Sequence, residues 1–210
     1  GPQDWWPAET PFEVILGAIL VQSTAWGNVV KAIDNLNAAD RLTPARLGEI
    51  SQAQLEKLIR PSGYYRAKAK KLRAFLAHLR MRHDNRLDSL FGIGLPTLRE
   101  ELLSIYGIGE ETADSILLYA AGKPIFVVDT YTHRLLTRLG WTEGKYQYGK
   151  LQTIFMAALP HDLSLFNEFH ALIVRHGARV CRTIPRCESC PLQAECLFDS
   201  AGTRTRPDSS

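Results

Sequence analysis

The stretch LLSIYGIGEETA, residues 102–113, decides the fold class, because it places a tight turn between two segments with apolar residues at helical spacing. Gly107 and Gly109 flank the apolar Ile108. Glycine permits a positive φ and lets the backbone approach another surface closely. We therefore expect Ile108 to pack between the helices, while N–H groups of the turn point outward and can bind a phosphate. Such a turn contacts the DNA backbone without reading sequence, although many turns that bind nothing also carry G-x-G.

Helical signals extend over the rest of the chain and predict an all-α fold. Capping boxes begin at Thr10 and Thr97, and a longer helix is expected from about residue 66 to residue 82. Residues 125–128, IFVV, form a short β-branched run. That run resembles a strand, and it equally suits a buried extended connector that leads into the next helix.

The composition is that of a soluble globular protein. Of the 210 residues, 45% are hydrophobic and 22% are charged, and no apolar run approaches membrane-spanning length. No signal peptide is apparent, so we expect an intracellular protein, cytoplasmic or associated with a bacterial-type nucleoid. The net charge of +3 is too small to indicate a nucleic-acid partner by itself. The basic segment between Arg60 and Asp84 is, by composition alone, better explained as a solvated helix face than as a phosphate-binding patch.

All four cysteines lie in one short stretch with the spacing C-x5-C-x2-C-x5-C: Cys181, Cys187, Cys190 and Cys196. Four thiols this close together, without a secretory signal, favour a metal centre over two disulfides. Zinc and a [4Fe–4S] cluster both accept four thiolates. A zinc ribbon usually has two separated C-x2-C pairs, so the single pair here favours the cluster. Arg182 and neighbouring arginines either contact DNA phosphates or are simply solvated.

Four motifs in this order resemble the helix-hairpin-helix glycosylases related to endonuclease III. They are Gly107-Ile108-Gly109, Thr112-Ala113, Val127-Val128-Asp129-Thr130 and the cysteine loop, and the resemblance covers the chain from about Pro11 to Cys196. It implies two helical lobes with a DNA-binding cleft between them, and a [4Fe–4S] cluster held by the cysteines. The first spacer of the loop is one residue shorter than the common endonuclease III pattern.

The resemblance also implies boundaries for the two lobes. One lobe would comprise residues 24–129, with the helix-hairpin-helix at about 97–121. The other would comprise residues 3–23 together with 130–200, including the cluster loop at 181–196. The polar residues 201–210 are expected to form a frayed tail.

Glu111 separates this chain from the strand-cleaving members of the family. Bifunctional endonuclease III enzymes carry a lysine at this position, which forms a Schiff base with the sugar. A carboxylate cannot form that imine. The adenine glycosylases have serine there and the thymine mismatch enzymes tyrosine, whereas Glu111 is similar to the 3-methyladenine DNA glycosylases of endonuclease III type. Trp5-Trp6-Pro7 and the segment from Gln22 to Trp26 also resemble that subgroup.

The resemblance assigns Asp129 as the catalytic residue of a monofunctional glycosylase. Such an enzyme flips a base from the duplex and hydrolyses its N-glycosidic bond. A carboxylate near C1′ stabilises oxocarbenium character and orients water. Asp129 also precedes a helix, so it is equally placed to be an N-cap, and the two roles can coexist.

The remaining candidates would surround the flipped base and the DNA. Glu111 either attracts a cationic alkylated purine or only stabilises a helix N-terminus. Trp5, Trp6 and Trp26 either stack on that base or pack beneath the first helix. Gln22 would enter the duplex, Thr112 belongs to the DNA-contacting hairpin, and His133 and His170 are weaker candidates for the cleft.

The sequence thus predicts a monomeric repair glycosylase for alkylated purines in double-stranded DNA, without a membrane partner. Three alternatives remain: a glycosylase for uracil, another deaminated base or a mismatched base; a DNA-binding module without catalysis; and a bifunctional lyase that uses some other lysine.

Overall fold

The computed structural model describes Gln3 and residues 5–198, and these described residues contain helices and no β-strand. The all-α prediction is confirmed. The α-helices are α1 (Pro11–Leu20), α2 (Trp26–Ala38), α3 (Pro44–Glu49), α4 (Gln52–Leu58), α5 (Tyr65–His83), α6 (Leu87–Phe91), α7 (Leu95–Ser104), α8 (Glu110–Ser115), α9 (Thr130–Leu139), α10 (Tyr148–Ala158) and α11 (Leu163–Arg179). A π-helix, Ile116–Ala120, continues α8, and three short 3-10 helices lie at Arg60–Ser62, Cys187–Ser189 and Gln193–Glu195. None of the helices in this described part is long and apolar enough to cross a bilayer.

The chain forms two compact units. The hairpin unit comprises Trp6–Lys123, and the cysteine unit comprises Gly1–Trp5 together with Pro124–Ser210. These boundaries differ from the lobes expected from the resemblance, which placed residues 6–23 with the C-terminal half. The difference arises because α1 packs against α2, α5, α8 and the π-helix within the hairpin unit. The tail expected at residues 201–210 lies outside the described residues.

Helix α1 is the centre of the hairpin unit. It begins after Thr10, whose side chain accepts a hydrogen bond from the backbone N–H of Glu13, and Pro11 occupies its first turn. Every residue of α1 except Pro11 is buried, so the helix is surrounded on all sides rather than on a single stripe. The capping box predicted at Thr97 is wrong: α7 begins earlier, with Gly94 as its N-cap and Pro96 in its first turn.

Residues 125–128 form a buried connector instead of a strand. Their backbone groups bond side chains: Val128 N–H donates to the Tyr148 hydroxyl at 3.4 Å, and Gln152 Nε2 donates to the Phe126 carbonyl at 2.8 Å. Because buried backbone groups require partners, these side-chain bonds take the place of a β-ladder. The connector thereby delivers Asp129 to the start of α9 in a fixed, buried position.

Candidate functional site

The hairpin between α7 and α8 adopts the conformation that its glycines predict. Gly107 has a φ of +83°, and a Cβ atom there would overlap the side chain of Lys71. Ile108 is buried, as expected. Gly109 is the N-cap of α8, has an ordinary extended conformation, and has open space where a Cβ would be. The two glycines therefore serve different purposes: the first permits the turn, and the second leaves the backbone N–H groups uncovered.

Gln22 is joined to this hairpin by its side-chain amide. Its Nε2 donates to the Thr112 hydroxyl at 2.9 Å and to the Gly107 carbonyl at 3.3 Å. Its Oε1 accepts a hydrogen bond from the Lys71 ammonium. The structure thus brings together three residues that were predicted separately, namely Gln22, Gly107 and Thr112. Lys71 was missed, because in the sequence it is only one member of a basic helix.

An aromatic cluster forms elsewhere in the hairpin unit. The Trp6 ring lies 5.4 Å from the Trp26 ring in an edge-on arrangement and 5.2 Å from the Tyr119 ring, between ring centroids. Gly17 lies directly beneath, since a Cβ there would be 3.0 Å from Trp6 Nε1. Among the described residues, Trp6 Nε1 is buried and has no hydrogen-bond partner. Trp5 belongs to the cysteine unit, so the two predicted tryptophans fall in different units.

Asp129 is the N-cap of α9 and is largely buried. Its Oδ1 accepts hydrogen bonds from the Thr132 backbone N–H at 2.7 Å and from the Thr132 hydroxyl at 2.8 Å. Its Oδ2 lies 3.9 Å from Nε2 of His170 on α11. One carboxylate oxygen therefore caps the helix, while the other faces an imidazole.

His170 is buried next to this carboxylate. Burial lowers the pKa of His170, and the charge of Asp129, which raises it, does not compensate. The imidazole is therefore neutral near pH 7. His133, the other weak candidate, instead packs edge-on against Tyr146, with 5.3 Å between ring centroids.

Glu111 lies in the first turn of α8 and is exposed to solvent. Its backbone carbonyl accepts a hydrogen bond from the Ser115 hydroxyl at 2.7 Å. An acidic side chain in the first turn is favourable whatever its function, because the positive end of the helix dipole lies there. The position is thus compatible with both roles considered from the sequence.

No disulfide joins the four cysteines, all of which lie in the described part of the chain, and all four line one cavity with Val180, Pro185 and Phe198. Arg138 of α9 supports this loop: its Nη1 donates to Cys181 Sγ at 3.1 Å and to the Arg182 carbonyl at 2.7 Å. Cys196 Sγ in turn lies 3.4 Å from the Arg138 carbonyl oxygen. The role of Arg138 was not predicted, since a basic residue in the last turn of a helix usually only complements the dipole.

Arg182 is exposed and lines an open groove on the cysteine unit with Tyr131, Arg134 and Arg186. Arg134 is used structurally, because its guanidinium donates to the Cys181 and Gly177 carbonyls, both at 2.8 Å. Arg182 and Arg186 are the other two arginines of the groove, and both are exposed, so they remain candidates for an anionic partner.

Residues 16–161 match the family described as HhH-GPD superfamily base excision DNA repair protein. A protein of Methanocaldococcus jannaschii with the provisional name of a DNA repair glycosylase is 45% identical over 199 residues, which cover 94% of this chain and 90% of the relative.

Two solved structures share the fold. The 3-methyladenine DNA glycosylase MagIII of H. pylori, solved with bound 1,N6-ethenoadenine, is 30% identical with a TM-score of 0.70, covering 82% of this chain and 86% of its own. A non-covalent endonuclease III–DNA complex is 27% identical with a TM-score of 0.78, covering 90% of this chain and 84% of its own. The all-α architecture is thus that of endonuclease III.

Proposed function

Because this chain belongs to the HhH-GPD superfamily of base excision DNA repair proteins and is a DNA glycosylase, we propose that it is monofunctional and removes an alkylated purine such as 3-methyladenine. Asp129 is the catalytic carboxylate of this proposal. The main support for this role is that the two carboxylate oxygens have different contacts. Oδ1 accepts the hydrogen bonds of the helix cap, and Oδ2 faces the neutral His170.

This arrangement suits hydrolysis of an N-glycosidic bond. The hydrogen bonds from Thr132 fix the orientation of the carboxylate, so little reorganisation is needed when positive charge develops on the sugar. Oδ2 is then the atom that stabilises the oxocarbenium character or accepts a proton from the attacking water. A neutral His170 places no positive charge beside Oδ2, so this oxygen is not held in an ion pair with the imidazole.

Glu111 supports the absence of lyase activity. It occupies the position where the strand-cleaving relatives carry the Schiff-base lysine, and a carboxylate cannot form an imine. Lys71 contacts the hairpin, but its ammonium group donates a hydrogen bond to Oε1 of Gln22. An ammonium that is held as a hydrogen-bond donor is a poor nucleophile, because attack on the sugar requires the free amine.

Aromatic and acidic groups support an alkylated purine as the substrate. Trp6 and Trp26 form an aromatic pair, and stacking of an aromatic ring on a base is stronger when that base is positively charged. The exposed carboxylate of Glu111 is an attractive group for the same charge. The similarity to the H. pylori 3-methyladenine enzyme agrees with this choice. A neutral deaminated pyrimidine would gain less from either contact.

The four cysteines are proposed to hold a [4Fe–4S] cluster, which in this role is a structural cofactor. All four line one cavity, and their spacing has a single C-x2-C pair, whereas a zinc ribbon usually has two. The hydrogen bond from Arg138 to Cys181 suits a thiolate ligand.

The proposed partner is double-stranded DNA, bound by the protein as a monomer. The uncovered backbone at Gly109 and the exposed Arg182 are the groups proposed to contact phosphates. Gln22, which is anchored to the hairpin, is proposed to fill the space left by the flipped base.

The test is base release from duplexes that carry alkylated, deaminated or oxidised bases, with the freed bases identified by mass spectrometry. Wild type is expected to release a methylated purine and to leave the strand intact. Asp129→Asn is expected to lose release by a factor of at least ~100, because one preorganised charge is removed.

Each other outcome has a definite meaning. Release of uracil or another neutral base alone would keep the mechanism and replace the substrate class. Strand cleavage with borohydride trapping of the protein on abasic DNA would contradict the monofunctional assignment. Firm DNA binding without release of any base would point to a binding module.

A further inference from the structure

Two histidines and a glutamate meet between α5 and α7, and none of the three has been given a role of its own above. Nε2 of His78 and Nε2 of His83 each lie 2.6 Å from Oε1 of Glu101. The donor atoms of the three side chains all lie within 4.8 Å of one another. His83 is buried and the other two are half-buried, so the three groups converge in a partly desolvated place.

We propose that His78, His83 and Glu101 form a binding site for Zn²⁺. Two imidazoles and one carboxylate are a donor set that zinc prefers, and three protein ligands leave a fourth tetrahedral position for water. This site is independent of the proposed glycosylase activity and of the cysteines, which belong to the other unit.

The geometry requires only a small adjustment to admit the ion. Bonds of about 2.0–2.2 Å in a tetrahedron place neighbouring donor atoms roughly 3.3 Å apart. The two imidazole–carboxylate contacts at 2.6 Å would have to lengthen by less than about 1 Å. Glu101 has three side-chain torsions and emerges from a different helix than the histidines, so a rotation of its side chain accomplishes this without moving the backbone.

A second contact of His83 orients it as a metal ligand. Its Nδ1 lies 3.2 Å from the hydroxyl of Ser89 on α6. Metal-bound histidines almost always use their other ring nitrogen in this way. If Nδ1 donates to Ser89, the lone pair of a neutral ring at Nε2 points at the Glu101 oxygen. Two acceptors 2.6 Å apart repel each other unless a positive charge lies between them, and one zinc ion supplies that charge to both histidines.

Bound zinc would fasten the helix that leads into the hairpin. Glu101 lies in α7, six residues before Gly107, while His78 and His83 belong to the long helix α5. A metal crosslink at this place restrains the approach of α7 to its turn. The role we assign to the bound zinc is therefore to crosslink α5 and α7, with water in its fourth position.

The experiment uses the whole protein with its cysteine site loaded, after chelator treatment and dialysis, with iron content measured before and after. Zn²⁺ is titrated by calorimetry, and Co²⁺ serves as the optical probe. We expect one equivalent of either metal to bind. The Co²⁺ spectrum should show weak d–d bands without intense thiolate charge-transfer absorption, and zinc should raise Tm.

Three variants and one control distinguish this site from any other. His78→Gln and Glu101→Gln each remove a ligand and should weaken zinc binding by more than ~100-fold, while Ser89→Ala should weaken it by about 10- to 100-fold. His161→Gln changes an exposed histidine on the other unit and should bind like wild type.

Wild type alone can overturn the proposal, whether or not the variants fold. If no equivalent of zinc binds beyond the cysteine site, the proposal is wrong. The contacts of His78 and His83 with Glu101 are then ordinary hydrogen bonds. A thiolate spectrum with Co²⁺, or loss of iron during the titration, would place the metal at the cysteines instead. Unchanged affinity in the folded variants would exclude these three residues.

Discussion

At the scale of the single residue, Asp129 has an observed capping role and a proposed catalytic role, and a sequence motif cannot separate the two. The capping geometry uses Oδ1, and the proposed chemistry uses Oδ2. Asparagine keeps an Oδ1 that can cap a helix, but it lacks the charge. Alanine lacks both the cap and the charge. Substitution at this one position therefore separates stability from catalysis.

We expect Asp129→Ala to lower the free energy of unfolding by about 1 kcal/mol through loss of the cap, whereas Asp129→Asn should stay within about 0.5 kcal/mol of wild type. Both variants should lose base release to a similar extent. Urea denaturation followed by circular dichroism gives the stabilities, and the base-release assay gives the activities. An Asp129→Asn enzyme that retains wild-type activity would contradict the catalytic role.

At the scale of the element, the hairpin between α7 and α8 contains one position that requires glycine and one that does not. Gly107 requires glycine because its φ is +83° and Lys71 occupies the space beside it. Gly109 has no such requirement, since its φ of −95° is ordinary for any residue and nothing lies within 4 Å of its missing Cβ. The fold itself therefore does not require glycine at position 109.

Serine at each glycine tests this difference. Gly107→Ser should lower the free energy of unfolding by about 1–2 kcal/mol, the cost of left-handed backbone in a residue with a Cβ. Gly109→Ser should keep or slightly raise stability, because serine is a good N-cap, while weakening DNA binding. Urea denaturation and fluorescence anisotropy with a duplex carrying an abasic-site analogue measure the two effects. Equal DNA affinity of Gly109→Ser and wild type would contradict a phosphate contact there.

At the scale of the whole molecule, some basic residues of α5 hold other segments in place through hydrogen bonds, and others are exposed to solvent. Lys68 is buried, and its ammonium donates to the Leu20 carbonyl at 2.8 Å and to the Ser62 carbonyl at 2.6 Å. Arg73 donates to carbonyls at the end of α3. Lys70 is exposed. Lys68 joins segments 48 residues apart in sequence, so it contributes to the stability of the whole hairpin unit.

The stability of the protein should therefore depend on pH through Lys68. Burial and the nearby charge of Lys71 lower the pKa of Lys68 from 10.5 to about 8. Between these values the unfolded chain binds the proton and the folded chain does not, so the free energy of unfolding rises with pH. The slope is at most ~1.4 kcal/mol per pH unit, and below pH 8 this contribution to the slope disappears.

Urea denaturation at pH 7.5, 8.5 and 9.5 compares wild type with Lys68→Met, and Lys70→Met is the exposed control on the same helix. Wild type and the control should gain stability over this range relative to Lys68→Met. Parallel pH profiles for all three proteins would show that the pKa of Lys68 is not lowered.

The sequence by itself determined those features of the protein that depend only on residues close together in the chain. Helical spacing, the glycines of the turn and the absence of regular alternation gave the all-α class and the hairpin, because backbone preferences and side-chain periodicity act over a few residues. The position of Asp129 before α9 and the spacing of the four cysteines are likewise properties of short segments. These features were predictable because neighbours along the chain suffice to specify them.

Only the tertiary structure decided which distant residues meet. Gln22 bonds Thr112 across 90 positions, Trp6 packs on Tyr119, and His78 and His83 converge with Glu101. Nothing local distinguishes these residues from ordinary surface or core positions. The same holds for α1, which joined the hairpin unit because its faces are covered by helices that lie far along the chain. These residues become partners because their shapes fit and they bury surface together. The amino-acid sequence alone does not show either property.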